Sequence, residues 1–128
     1  MDNPSTLDSL KLKARAFRDA RNWKQFHKPK DLAAALSIEA AELQELFLWK
    51  THEECAAYLG TEVGQAKLRE ETADVMLFLL HLADVCDLDL AAAVEAKLAL
   101  NEKKYPVAQS YNSHRKYTEL KKDPNAGA

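Results

Sequence analysis

Apolar residues return every three to four positions along most of this chain, the spacing of α-helices with one buried face. Leu7, Leu10, Ala14 and Phe17 mark such a face on a first helix, opened by Ser5-Thr6 with Asp8 in its first turn and running to about Arg21. The period breaks over residues 22–30. A second helix of about five turns comes next, with Asp31 as its N-cap and its end near Trp49. Thr51-His52-Glu53-Glu54 opens a short helix to Leu59, which Gly60 stops. Thr61 caps a third long helix to about Cys86, with Gly64 tolerable near its start. Within it Val75 to Leu80 is apolar on every side, which predicts burial on most sides, in part by another subunit. Asp89 caps a fourth long helix from Leu90 to about Lys104, ended by Tyr105-Pro106. Beyond it, residues 107–128 are polar and without period, as in an extended arm or a partly disordered tail. The expectation is an all-α, four-helix-bundle-like single domain over 1–128, with a core of about 5–106 and a tail of 107–128.

The stripes are interrupted where a leucine would be the default. At about 100° per residue, Leu32, Leu36, Leu43 and Leu46 all fall within roughly 60° of Glu39. Glu42 lies one turn on, at the edge of the same face. The third long helix repeats the pattern: Leu68, Val75, Phe78 and Leu82 surround Glu71, and Asp74 stands to Glu71 as Glu42 does to Glu39. An unpaired carboxylate in such a place costs several kcal/mol, so it needs a cation or a changed pKa. If the two helices pack face to face, four carboxylates converge. Hard, all-oxygen ligands of this kind select Mg²⁺, with Mn²⁺ as a substitute. Glu45, another step of three along, is an extra carboxylate that could help hold metal or orient water.

Cations and aromatics complete a picture of phosphate chemistry. Lys97 and Asn101 follow Leu90, Ala93 and Val94 on the inner face of the fourth helix, and Lys104 continues that face. Lysines there could clamp phosphates as point charges, while a metal held by the carboxylates would neutralise phosphate oxygens and orient a substrate. No GxxxxGK loop exists, and Gly at 60, 64 and 127 cannot make one. Trp23, Trp49 and Phe78 could sandwich a base. The aromatic-rich connector leaves two alternatives: Trp23 and Phe26 cap the core, or Trp23 and His27 have a binding role.

Composition narrows the classes. With 128 residues, 47% of them hydrophobic, the chain can build one core, and abundant Ala, Leu, Glu and Lys against three Gly favour helix. A formal charge of −2 gives no global case for nucleic acid. No stretch is long and apolar enough for a membrane span or a signal peptide, and Cys55 and Cys86 form no CxxC, so a reducing cytoplasmic location is expected. Ferritin-like di-iron bundles need Glu-x-x-His pairs, and none of the four histidines has a Glu three positions before it. His52-Glu53-Glu54-Cys55-Ala56 begins like a zinc-protease helix, but its fifth position is Ala.

Glu39-x-x-Glu42 followed by Glu71-x-x-Asp74 resembles the metal signature of the all-α nucleoside triphosphate pyrophosphohydrolases, the MazG-like group. Phe17-Arg18-Asp19, Trp23-Lys24-Gln25-Phe26-His27-Lys28-Pro29, Glu42 to Lys50, Asn101 to Pro106 and Lys116-Tyr117 are similar to its dCTP pyrophosphatase branch, so that the likeness spans roughly Leu7 to Leu120. The resemblance implies a MazG-type helical bundle, active as a dimer or a tetramer built from dimers. It implies Mg²⁺-dependent hydrolysis of dCTP, or a modified dCTP, to dCMP and diphosphate. By position, Glu39, Glu42, Glu71 and Asp74 would be metal ligands. Trp23, His27 and Trp49 would belong to the base and sugar pocket, and Lys97, Asn101, Lys104 and Tyr105 would contact phosphates or sugar. Phe78 departs from the Tyr expected in dCTP-specific members, which could relax selectivity. The rival readings are a broad-specificity MazG-like activity and a helical nucleotide-binding scaffold without turnover.

Overall fold

The computed structural model describes residues 4–120. They are helical throughout, with no strand among them: α1 (Leu7–Ala20), a short 3₁₀ turn (Lys24–Phe26), α2 (Pro29–Glu45), α3 (His52–Leu59), α4 (Glu62–Val85), α5 (Leu90–Lys104), α6 (Val107–Ser110) and α7 (Tyr117–Leu120). The chain divides into two compact units, Met1–Leu88 and Asp89–Ala128.

Helix starts follow local chemistry. Thr6 and Ser9 form a reciprocal capping box on α1, and Thr51 and Glu54 do the same on α3. The Thr61 hydroxyl caps α4, and the Asp89 carboxylate caps α5 by accepting from the Ala92 N–H at 3.0 Å. Asp31, by contrast, is not the cap of α2. The helix begins two residues earlier, with Pro29 in its first turn and Lys28 as an extended N-cap (φ −89°, ψ 149°). Proline lacks the N–H that a first turn would leave unused, and it forces the residue before it out of the helical region.

The end of α2 also differs from expectation. Regular helix stops at Glu45, and the chain tightens through bonds from Leu46, Phe47 and Leu48 N–H to carbonyls three residues back (3.0–3.4 Å). Trp49 then takes a left-handed conformation (φ 63°). No Gly marks this stop, so the reversal falls on a bulky residue, an uncommon choice. Gly64 is not merely tolerable. A Cβ there would run into the Tyr58 carbonyl, so glycine is what lets the start of α4 close on the end of α3.

In the first unit α4 is the hub, packed against α1, α2 and α3. Its core is thin: Ala14, Leu32, Leu80 and Ala83 are buried, and none of the larger side chains is fully enclosed. The run Val75 to Leu80 is not covered all round within the chain, since Met76 (39%) and Leu77 (42%) stay exposed. An ion cluster whose Arg18 and Asp84 are buried ties α1 to α4. Arg18 donates to both Asp84 (2.8 Å) and Asp19 (2.9 Å), and Arg15 donates to the other Asp84 oxygen (2.9 Å from Nε).

In the second unit, residues 91–100 of α5 are exposed along their whole length, so the stripe expected to be its inner face has no cover. Residues 107–120 are not a structureless arm. They form two single-turn helices, Leu120 is buried, and Tyr117 packs edge-on against Tyr105 at 6.1 Å and beneath the Lys104 ammonium at 4.8 Å. The rest of the expected tail, 121–128, lies outside the described residues.

Candidate metal centre

The pairing of α2 with α4 brings Glu39, Glu42 and Glu71 together. One oxygen from each lies within 4.8 Å of the others. The helix period explains the approach: on each helix the leucines around Glu39 and Glu71 seek the same interface, and they carry the carboxylates in with them. Along that interface Leu36, Leu43, Leu68, Val75 and Phe78 are half-buried, as are Glu39 and Glu71 themselves.

The electrostatics of the cluster are unbalanced. Burial pushes the Glu39 carboxyl above its ordinary range, helped by a hydrogen bond with Glu42 and by the charges of Glu42, Asp74 and Glu71. Burial also raises the Glu71 carboxyl, with Glu42 and Asp74 adding to the effect and Lys67, one turn earlier, opposing it. Glu39 Oε2 and Glu71 Oε2 are buried with no hydrogen-bond partner. Buried acceptors without donors are rare because they forfeit their hydration. Three carboxylates with two such orphaned oxygens fit a hard divalent cation, which would satisfy both and offset the repulsion. Asp74, one turn beyond Glu71, stands outside the three-residue set but close enough to act on both Glu39 and Glu71.

The remaining residues singled out from the sequence occupy several places. Glu45 is exposed at the last position of α2. Phe78 lies two turns past Glu71 on α4, its ring 6.3 Å from that of His81. Trp49 is 92% exposed. Trp23 packs edge-on against Phe17, whose ring also carries the Arg21 guanidinium at 3.6 Å. His27 packs edge-on against His81 at 4.6 Å, and His81 lies about 15 Å along α4 from Glu71 at 1.5 Å per residue. Lys97, Asn101, Lys104 and Tyr105 belong to α5 and its C-terminus in the second unit.

Sequence reasoning missed the ion cluster of Arg15, Arg18 and Asp84, and with it His81. A signal was present. Arg18 falls within about 20° of Leu7 and 40° of Ala14 on α1, the same interruption of an apolar stripe that singles out Glu39. Its side chain is 3% exposed and that of Asp84 7%. Bonds from Arg15 hold the Asp84 carboxyl below the usual carboxylate range, against the opposing effect of burial and with further help from Arg18.

An all-helical fold with a carboxylate cluster between two long helices defines a helical protein with a candidate metal centre, and comparison with known proteins narrows the class. The MazG-like family model matches residues 34–120. Two curated relatives called dCTP pyrophosphatase 1, from Homo sapiens and Bos taurus, are 41% and 40% identical over 115 residues, covering 90% of this chain and 68% of each relative. A crystal structure of a pyrophosphatase from Archaeoglobus fulgidus superposes with a TM-score of 0.74 at 38% identity, over 83% of this chain and 97% of that one. The chain belongs to the MazG-like family.

Proposed function

We propose that this protein is a Mg²⁺-dependent nucleoside triphosphate pyrophosphohydrolase that converts dCTP, or a modified dCTP, to dCMP and diphosphate. The observation that carries the reading is the pair of buried, partnerless oxygens of Glu39 and Glu71 in a three-carboxylate cluster. The dCTP pyrophosphatase names of the relatives supply the substrate. In this reading Glu39, Glu42, Glu71 and Asp74 hold the metal, with Glu45 as an auxiliary carboxylate. A bound Mg²⁺ would supply charge neutralisation for the phosphate oxygens. Trp23, His27, Trp49 and Phe78 shape the base and sugar pocket, and Lys97, Asn101, Lys104 and Tyr105 bind the phosphates. Water attacks the α-phosphorus, the bond to the bridging oxygen breaks, and diphosphate departs.

A broader range of nucleoside triphosphates is the second reading, and Phe78 favours it, because a phenyl ring offers no hydroxyl with which to select a sugar or base. The working form would be a homodimer or a tetramer of dimers. Its support is the exposed apolar surface: Phe17, Met76 and Leu77 on one unit, Val94 and Leu98 on the other. Among the described residues no helix is long and apolar enough to cross a membrane, and the reading places the enzyme with the nucleotide pool of the cytoplasm.

The deciding experiment is diphosphate release from dCTP, dTTP, dATP, dGTP and CTP, with Mg²⁺ and with EDTA. Metal-dependent release led by dCTP supports the first reading. Comparable rates on several bases favour the second. Absence of release from all five would overturn both and leave a nucleotide-binding scaffold.

A further inference from the structure

A polar cavity, of about 390 Å³, opens between α1, the 3₁₀ turn and the C-terminal part of α4. That volume falls in the roughly 300–1,000 Å³ range of small-molecule sites. It is separate from the carboxylate cluster within the chain. Asp84, on its wall, lies thirteen residues beyond Glu71 on one continuous helix, or about 20 Å at 1.5 Å per residue.

The charges on the wall do not cancel. Asp84 and Asp19 are consumed by the Arg15 and Arg18 guanidiniums, two carboxylates against two cations. Lys24 and Lys28 also line the cavity, and neither has an ion-pair partner among the described residues. The wall therefore carries four cations and two anions, a net charge of +2. Its floor is built rather than merely exposed, because the Arg18 and Asp84 side chains are almost wholly buried and fix one another. One further group is unsatisfied: His27 lines the same cavity, and its Nδ1 is buried without a hydrogen-bond partner. The ring is braced by His81, so it is held in place rather than free to turn toward water.

We infer that this cavity binds a phosphate group. A doubly charged oxyanion matches the net charge of the wall, and its several oxygens can accept from Lys24 and Lys28 together, beside the His27 ring. Such charge-assisted bonds are the strong kind. A single carboxylate would leave one lysine uncompensated. The phosphate could be free, as inorganic phosphate or diphosphate, or could belong to a nucleoside monophosphate. The chemistry recognised is the same, and the two sources separate by experiment.

The test is a titration of the full-length protein with inorganic phosphate, with diphosphate and with dCMP, in the presence of EDTA, followed by calorimetry and by the proton resonances of the His27 and His81 rings. Saturable binding should shift both rings. The double variant Lys24→Gln/Lys28→Gln should bind about tenfold or more weakly, whereas Lys24→Arg/Lys28→Arg should retain binding. Melting temperature and Mg²⁺ binding by the carboxylate cluster should be unchanged in both variants, which separates loss of this site from loss of fold or of the cluster. Binding of phosphate and diphosphate without dCMP identifies the free oxyanion. Binding of dCMP alone, with the same ring shifts, identifies the nucleotide. No binding of any of the three, or affinity undiminished in the double glutamine variant, overturns the assignment and leaves two solvated lysines beside a structural ion cluster.

Discussion

Glu39 on α2 and Glu71 on α4 face one interface, and each buries an Oε2 atom that no donor in the described structure reaches. Burial first, and then the neighbouring Glu42, raises the proton affinity of both. The arrangement is unfavourable for an empty protein. Replacing Glu71 by Gln removes one charge while preserving shape, so Glu71→Gln should lower Mg²⁺-dependent diphosphate release by more than about 100-fold, beyond the typical loss for an outer-shell partner of a metal ligand. Without metal, its melting temperature should equal or exceed that of the parent, since uncompensated charge has been removed. Metal-dependent activity retained in the variant would remove Glu71 from the metal site.

Acid should weaken the fold through the two histidines packed edge-on, His27 and His81. Burial, first, lowers both His27 and His81 below their ordinary value of 6.5, and the charge of Arg18 adds to this in each. The unfolded chain then binds protons that the folded chain does not, so stability holds above pH 6.5 and falls as pH drops below it. Asp84 acts further down. Its carboxyl is depressed below 3.8, so the stability it contributes is present above that value and fades only as pH falls through the depressed one. Thermal melts of the metal-free protein from pH 8 to pH 5 should show the histidine limb, and His81→Phe should flatten it. A variant limb as steep as the parental one would assign the loss to other groups.

Gly64→Ala puts a methyl group against the Tyr58 carbonyl, where backbone rather than a flexible side chain must yield. Overpacking of this kind costs about 1–3 kcal/mol, against the gain usual for Gly to Ala within a helix. Chemical denaturation should show a lower midpoint for the variant. An unchanged or higher midpoint would mean that the junction of α3 and α4 relaxes freely.

Phe78→Tyr restores the hydroxyl expected of dCTP-specific relatives. The variant should raise the ratio of kcat/KM for dCTP over the next-best triphosphate by up to about tenfold, the worth of one hydrogen bond. Stability should change little, because Phe78 is only half-buried. An unchanged ratio would show that selection does not pass through this position.

Much of this was legible in the chain. Helix starts at Thr6, Thr51, Thr61 and Asp89 were readable because a side-chain oxygen at those sites has one local job, to cap. Glu39 and Glu71 were readable because a charge in the centre of an apolar stripe is costly. The start of α2 was misassigned to Asp31 because two local signals competed and Pro29 prevailed. The left-handed stop at Trp49 carries no local signal, because no Gly or Asn stands at 46–50 to favour a positive φ. Arg18 obeyed the same stripe rule as Glu39 but went unread, since its significance depends on Asp84, on another helix and 66 residues away. The exposure of α5 was invisible for a different reason: periodicity says which face is apolar, not what covers it.

That uncovered surface has a consequence for the life of the chain. Ala14, Leu32, Leu80, Ala83 and Leu120 are the only buried apolar side chains among the described residues, and two of them are alanines. A partner that covers apolar surface of so thin a core would add to its burial, and by mass action the folded population would then rise with the concentration of that partner. In the proposed oligomer the vulnerable species is then the newly made chain that has not yet met a partner.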